Sequence, residues 1–159
     1  FNEKGLLVPN QPILSDLDEI RKVFTEEIAS PRRTELFENY LRYLEDLKAV
    51  IGENFYQWLN GSFATKKPEP RDIDLVTFIH WKQLDKFEKE LKAFRPPESL
   101  NKYGVDAYFI PVFEEGHRHR AFFEGDRAKW WEQFESTRLI IGGKMLKKGF
   151  LEIHFENGR

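Results

Sequence analysis

The chain has 159 residues, of which 40% are hydrophobic, 15% aromatic and 33% charged, and it contains no cysteine. This length predicts one domain, residues 1–159, with a hydrophobic core of its own. The net charge of −2 carries no strong nucleic-acid signature, and the lack of cysteine excludes disulfides and thiolate metal sites. The sequence has no apolar run long enough for a membrane span, and its first residues do not resemble a signal peptide. We therefore expect a cytoplasmic protein.

The first third of the chain predicts an extended arm followed by two helices. Two prolines favour an extended conformation over residues 1–14. Apolar residues at helical spacing predict a first helix from Asp16 to Ile28, with Ser15 as its N-cap. A serine–proline start and a glycine stop predict a second helix over residues 30–52.

The rest of the chain mixes strand-like and helix-like segments. Strands are predicted at 55–60, 72–79 and 105–112, helices at 84–94 and 126–134, and a closing β element from 138 to 155. This order predicts an α/β (α+β) domain with a small mixed sheet and two helices before its first core strand. We expect the helices to pack mainly on one face, and residues 112–159 to form a short C-terminal helix and β element.

Three aspartates are the main candidates for a chemical role. Asp72 and Asp74 are two residues apart on a predicted strand and therefore point to the same face. Two adjacent carboxylates repel unless a cation lies between them, and hard oxygen ligands suit Mg²⁺. Asp106 begins the next strand and joins the pair if the two strands are neighbours. Three carboxylates can hold two metal ions, which activate an attacking hydroxyl and stabilise a leaving pyrophosphate.

The segment before these aspartates predicts a phosphate-binding loop. Gly61 allows a close approach of the backbone to a phosphate, and Ser62 adds a hydroxyl donor. Lys66, Lys67 and Arg71 lie in the same loop and can neutralise a triphosphate. As alternatives, Ser62 is a helix cap and the three basic side chains belong to a solvated loop.

Together these residues resemble the signature of the DNA polymerase β-like nucleotidyltransferases. The matching string is Leu59-Asn60-Gly61-Ser62, then Asp72-Ile73-Asp74-Leu75, with Asp106 in a later strand and a motif core over residues 55–111. The resemblance implies that Gly61 and Ser62 grip the nucleotide phosphates. It also implies that Asp72 and Asp74 bind Mg²⁺ or Mn²⁺, and that Asp106 binds the catalytic ion and helps to activate the nucleophile.

The same resemblance suggests a substrate and a setting. It implies transfer of an NMP, most simply AMP from ATP, to a protein or RNA acceptor. The chain is close in size to the minimal members, which act beside a helical partner protein in toxin–antitoxin or phage-defence pairs. The whole chain is also similar to a small, uncharacterised bacterial and phage family with a Lys148-Gly149-x-x-Glu152 ending.

Two other functions remain open from the sequence. The short stretch after Asp106 is compatible with a non-catalytic nucleotidyltransferase-fold module, such as an antitoxin, immunity or regulatory subunit. Lys144, Lys147 and Lys148 follow a glycine pair, and we expect them in a solvated turn. The alternative is that these lysines reach a triphosphate or an RNA acceptor.

Overall fold

The computed structural model describes residues 1–156 and, for residues 138–140, the backbone alone. The strands of this part of the chain are β1 (Pro12–Leu14), β2 (Phe55–Asn60), β3 (Ile73–His80), β4 (Val105–Val112), β5 (Ser136–Ile141), β6 (Lys144–Lys147) and β7 (Phe150–Phe155). Its helices are α1 (Leu17–Arg21), α2 (Pro31–Ile51), α3 (Trp81–Lys86), α4 (Glu88–Leu91), α5 (Glu98–Tyr103) and α6 (Arg120–Glu135). No helix within the described residues is long and apolar enough to cross a membrane.

Five strands form one mixed sheet in the order β1-β7-β2-β3-β4. β2 is antiparallel to both β3 and β7, whereas β4 is parallel to β3 and β1 is parallel to β7. β5 and β6 form a separate two-stranded hairpin. The α/β class with a mixed sheet is therefore confirmed.

Both faces of the sheet are covered, because alternate residues of each strand are apolar on opposite sides. On the first face, Leu59 and Leu75 belong to a large core that includes Leu44 of α2 and side chains of α1, α4 and α5. On the second face, Trp58 and Phe123 belong to a smaller aromatic core that α6 closes. Most helices lie on the first face, as expected, but α6 shields the second.

The best-predicted element is α2, whose two ends follow local rules. The Ser30 hydroxyl accepts a hydrogen bond from the Arg33 amide, and Gly52 ends the helix with a φ of 79°. β2 and β4 have the predicted bounds, and β3 starts one residue later than predicted, at Ile73.

Three predicted details are wrong. The first helix is capped by Asp16 instead of Ser15, and it continues as a π-helical segment over Lys22–Glu27. The predicted helix at 84–94 is divided into α3, α4 and a 3₁₀ turn, and α5 follows the two prolines that were expected to end helical structure. α6 begins at Arg120, six residues before the predicted start, because aromatic packing on the second face extends the helix.

Candidate functional site

Strand register brings two of the three predicted aspartates together. Asp74 is paired with Asp106 between the parallel strands β3 and β4, and on its other side it is paired with Asn60 of β2. Paired residues project to the same face of a sheet. All three side chains therefore lie on the second face, at the end of the sheet where β3 and β4 begin.

The third aspartate, Asp72, immediately precedes β3, and its charge acts on Asp106. Burial raises the pKa of Asp106 above its usual value, and the nearby Asp72 carboxylate raises it further. A hydrogen bond from the Tyr108 hydroxyl lowers the same pKa, because it stabilises the charged form. Asp72 and Asp106 therefore interact electrostatically across the start of β3, and strand register places Asp74 beside Asp106.

Gly61 is in direct contact with this acidic group. Its φ of 83° lies in the left-handed region, and a Cβ added there would be 3.1 Å from Oδ2 of Asp74. A side chain would therefore be strained in conformation and would crowd the carboxylate. Ser62 follows at once, as the first residue of a short 3₁₀ turn. The predicted phosphate loop and the predicted metal ligands are adjacent.

The loop after Ser62 is held by Arg33, which is fully buried at the start of α2. Its guanidinium donates hydrogen bonds to the carbonyl oxygens of Phe63 at 2.8 Å, Lys67 at 3.0 Å and Thr65. Burial lowers the pKa of Arg33 to about 10, so the group stays charged at neutral pH. The first turn of α2 therefore positions the loop that carries Ser62.

The basic side chains of this loop lie at the protein surface. Lys66, Lys67 and Arg71 are all exposed. The Lys66 ammonium lies 5.1 Å from the centre of the Phe1 ring, in the N-terminal arm. The carbonyl of Arg71 accepts a hydrogen bond from Arg32, which keeps the end of the loop against α2.

Lys148 lies at the site, contrary to the prediction of a solvated turn. Its side chain is 4% exposed, and its ammonium donates to the side-chain oxygen of Asn60. Burial lowers the pKa of Lys148 to about 8, while the charge of Asp74 raises it. Lys144 and Lys147 are exposed, as expected.

An aromatic pair borders the site on the side of β4. The ring centres of Tyr108 and Trp130 are 4.7 Å apart, and Tyr108 is 40% exposed. A separate groove of about 790 Å³ runs along α6 and includes Tyr56, Arg127 and Trp131 in its lining. Lys147 also lines this groove, whereas the predicted metal and phosphate residues Asp72, Asp74, Asp106, Gly61, Ser62, Lys66, Lys67 and Arg71 do not.

The three aspartates have the kind of oxygen atoms that bind a hard cation. Their side chains, however, do not surround a common point at which an ion could bind. Within residues 1–156, no group of three or more His, Cys, Asp or Glu side chains has the arrangement of a metal site. Carboxylates from Asp72, Asp74 and Asp106 are nevertheless the ligands that Mg²⁺ prefers. Side-chain rotation at half-exposed positions is sufficient to change their directions.

A family model described as a family of unknown function (DUF6932) matches residues 1–154. The chain belongs to this family. No curated protein and no solved structure matches it. The matched residues include the sheet up to His154, the three aspartates and Lys148. The family description assigns no activity to them.

Three residues at the site of this DUF6932 member were not predicted. Tyr108 is two residues after Asp106 on a strand, so its place beside that carboxylate follows from alternation and could have been foreseen. Arg33 could also have been noticed, because helical spacing places it on the same side of α2 as Leu36, Phe37 and Tyr40. Lys148 was named but expected in a solvated turn, because lysine is almost never fully buried.

Proposed function

We propose that this chain is a metal-dependent nucleotidyltransferase of the DNA polymerase β-like type, which moves an NMP to a protein or RNA acceptor. ATP is the proposed donor. The observation that carries the proposal is the register of β3, which pairs Asp74 with Asp106 and with Asn60. That register brings an acid–apolar–acid strand, a third acid and a glycine–serine turn to one end of the sheet.

Asp72, Asp74 and Asp106 would hold Mg²⁺ or Mn²⁺ through their carboxylate oxygens. When bound, the ion supplies charge for the leaving pyrophosphate and makes the acceptor hydroxyl a better nucleophile. Burial raises the pKa of Asp106, and repulsion from the nearby Asp72 carboxylate raises it further; the proximity of the two carboxylates supports this assignment. A bound cation relieves that repulsion.

The loop residues would hold the triphosphate of the donor. Gly61 has no side chain to hinder the approach of a phosphate to the backbone, and the Ser62 hydroxyl would donate to a phosphate oxygen. Lys67 and Arg71 are exposed and can turn toward the charge of the triphosphate. In the transfer step the acceptor oxygen bonds to the α-phosphorus, the bond to the bridging oxygen breaks, and pyrophosphate leaves. The acceptor proton passes to solvent.

The acceptor is proposed at the level of its chemistry, as a hydroxyl group of a protein or an RNA. A helical partner protein, as in toxin–antitoxin or phage-defence pairs, would supply the choice of acceptor. Tyr108 and Trp130 offer an exposed aromatic surface beside Asp106 for a base or a ring of the substrate.

The test is transfer of label from α-labelled ATP, with Mg²⁺ or Mn²⁺, to total RNA and to candidate proteins. The Asp74→Asn and Asp106→Asn variants are expected to lose at least about a hundredfold in rate, since several kcal/mol of transition-state stabilisation depend on the ion. Asp85→Asn, at an exposed position of α3, is the matched control and is expected to keep full activity. Label transfer that survives both substitutions refutes the proposal.

A second candidate is a binding module without turnover, such as an antitoxin, immunity or regulatory subunit. The observation that favours it is the buried ammonium of Lys148, which already compensates part of the negative charge at Asp74. Calorimetry with ATP and Mg²⁺ separates the two functions. Partner binding that is unchanged by Asp72→Ala, together with no heat of nucleotide binding, supports the module.

A further inference from the structure

The groove along α6 has the size of a small-molecule site. Its volume is about 790 Å³, within the range of about 300–1,000 Å³ that ligand pockets commonly have. α6 supplies most of the lining, and Tyr56 of β2 and Lys147 of β6 complete it. The aspartates and the loop residues assigned to nucleotidyl transfer lie outside this lining. A ligand bound here would therefore leave that site free.

Arg127 occupies a fixed position in this groove. Its guanidinium carbon lies 5.2 Å from the ring centre of Trp58 and 5.3 Å from that of Trp131. Trp58 is fully buried, and its indole N–H donates to the Glu152 carboxylate at 2.8 Å. Burial raises the pKa of Tyr56, and a hydrogen bond between this hydroxyl and Arg127 offsets part of the rise. Because the guanidinium is already held in place, binding to it costs little conformational entropy at this side chain.

The positive charge of Arg127 has no acidic partner among the residues that the structure describes. The other two cations of the groove are paired, since Arg120 Nε lies 3.2 Å from a Glu124 oxygen and Lys147 Nζ lies 3.0 Å from a Glu135 oxygen. A guanidinium presents its N–H donors in a planar fork that matches two oxygens of a carboxylate or a phosphate. Arg127 is half-buried, so water screens its charge less than that of an exposed arginine. Of the three cations, Arg127 is therefore the best suited to a ligand oxyanion.

The rest of the lining favours a small ligand with one charge and a ring. Three glutamates line the groove beside its three cations, so its charges are balanced. Such a balance gives no attraction for a polyanion such as RNA, and it leaves a single oxyanion position, at Arg127. Next to Arg127, Ala128 and the half-buried Trp131 supply apolar surface. A planar ring packs favourably on an indole of this kind.

We propose that this groove binds a small molecule that carries a planar ring and one oxyanion, either a carboxylate or a phosphate. The oxyanion accepts hydrogen bonds from the Arg127 guanidinium, and the ring packs on Trp131 and Ala128. This binding is separate from nucleotidyl transfer and uses none of the residues assigned to it. The failure of either proposal leaves the other intact.

Titration of ¹⁵N-labelled protein with four probes, followed by NMR, tests both parts of the ligand. Benzoate and phenyl phosphate each join a ring to an oxyanion, whereas inorganic phosphate is the oxyanion alone and benzyl alcohol is the ring without a charge. Benzoate, phenyl phosphate or both are expected to bind with a Kd of about 1 mM or lower, and to shift the Arg127 Nε–H and Trp131 indole N–H signals. The other two probes are expected to bind at least about tenfold more weakly. A preference between the first two distinguishes a carboxylate site from a phosphate site.

Three variants test the role of the guanidinium. Arg127→Met is expected to weaken binding at least about tenfold, because it removes the charged donors and keeps an apolar side chain beside the two indole rings. Arg127→Lys keeps the charge without the planar fork, and its affinity is expected to lie between those of Arg127→Met and the wild type. Lys129→Met, at an exposed position of α6 outside the groove, is the matched control and is expected to bind like the wild type.

The ligand and the role of Arg127 are each open to refutation. No binding of benzoate or phenyl phosphate, or equally tight binding of inorganic phosphate or of benzyl alcohol, overturns the proposed ligand. Unchanged affinity in a folded Arg127→Met protein overturns the role of Arg127, and near-UV circular dichroism reports whether the variant is folded. If it does not fold, the Arg127 Nε–H signal of the wild type decides the question: its shift during titration supports the site, and its invariance overturns it.

Discussion

Replacement of Arg33 by methionine is expected to destabilise the protein and to release the loop that carries Ser62. The buried guanidinium of Arg33 donates to the carbonyls of Phe63, Thr65 and Lys67. Hydrogen bonds from a charged group contribute about 1.5–3 kcal/mol each, before the cost of burying the charge is subtracted. The Thr65 and Lys67 carbonyls belong to residues at the surface and can be rehydrated in the variant, whereas Phe63 is fully buried.

The net loss for Arg33→Met is therefore expected to be about 1–3 kcal/mol in the free energy of unfolding, the cost of leaving one buried acceptor, the Phe63 carbonyl, without a donor. Urea unfolding followed by tryptophan fluorescence measures it. The matched control is Arg32→Met, because Arg32 also donates to loop carbonyls, those of Pro70 and Arg71, but is partly exposed.

The control variant is expected to lose less than about 1 kcal/mol. A second readout is limited trypsin digestion after Lys66, in the loop that Arg33 holds, which is expected to be faster in Arg33→Met under native conditions. A loss below about 1 kcal/mol with unchanged digestion would refute the argument that Arg33 holds the loop.

Three further predictions concern the acidic site. Burial lowers the pKa of Lys148 in the folded protein to about 8, from its ordinary value of 10.5. The charged lysine therefore destabilises the folded state, and the free energy of unfolding increases as the pH rises from about 8 to about 10.5. The wild type minus Lys148→Met difference in unfolding free energy is expected to increase by about 2 kcal/mol from about pH 7 to about pH 9.5 in urea titrations; a constant difference contradicts this. Tyr108→Phe removes a donor to the Asp106 carboxylate and is expected to raise the Asp106 pKa further in metal-free protein, as measured by carboxyl ¹³C NMR; a decrease would show that the hydroxyl is not its donor. Gly61→Ala is expected to cost about 1–3 kcal/mol in thermal unfolding, because its backbone conformation disfavours a side chain. Gly125→Ala is the control, since it lies in α6 with open space around it and is expected to be neutral or stabilising. Equal effects of the two glycine substitutions would argue against strain at Gly61.

The elements that carry the site could be predicted because local rules determine them. The Ser30 cap and Gly52 define α2, and alternation of apolar residues defines β2 and β4. The apolar run after Asp72 predicted β3, which places Asp74 in the strand and Asp72 immediately before it. The sequence thus identified which residues could form an acidic group, together with a glycine–serine turn.

Tertiary structure decided what surrounds that group. The neighbours of β3 depend on packing between segments far apart in sequence, and only their register pairs Asp74 with both Asp106 and Asn60. Burial of Lys148, and the acceptors that Arg33 finds on the buried side of α2, were not predictable, because these acceptors are supplied by distant segments. Those acceptors compensate a charge that would otherwise stay in water, and no property of the local sequence carries that information.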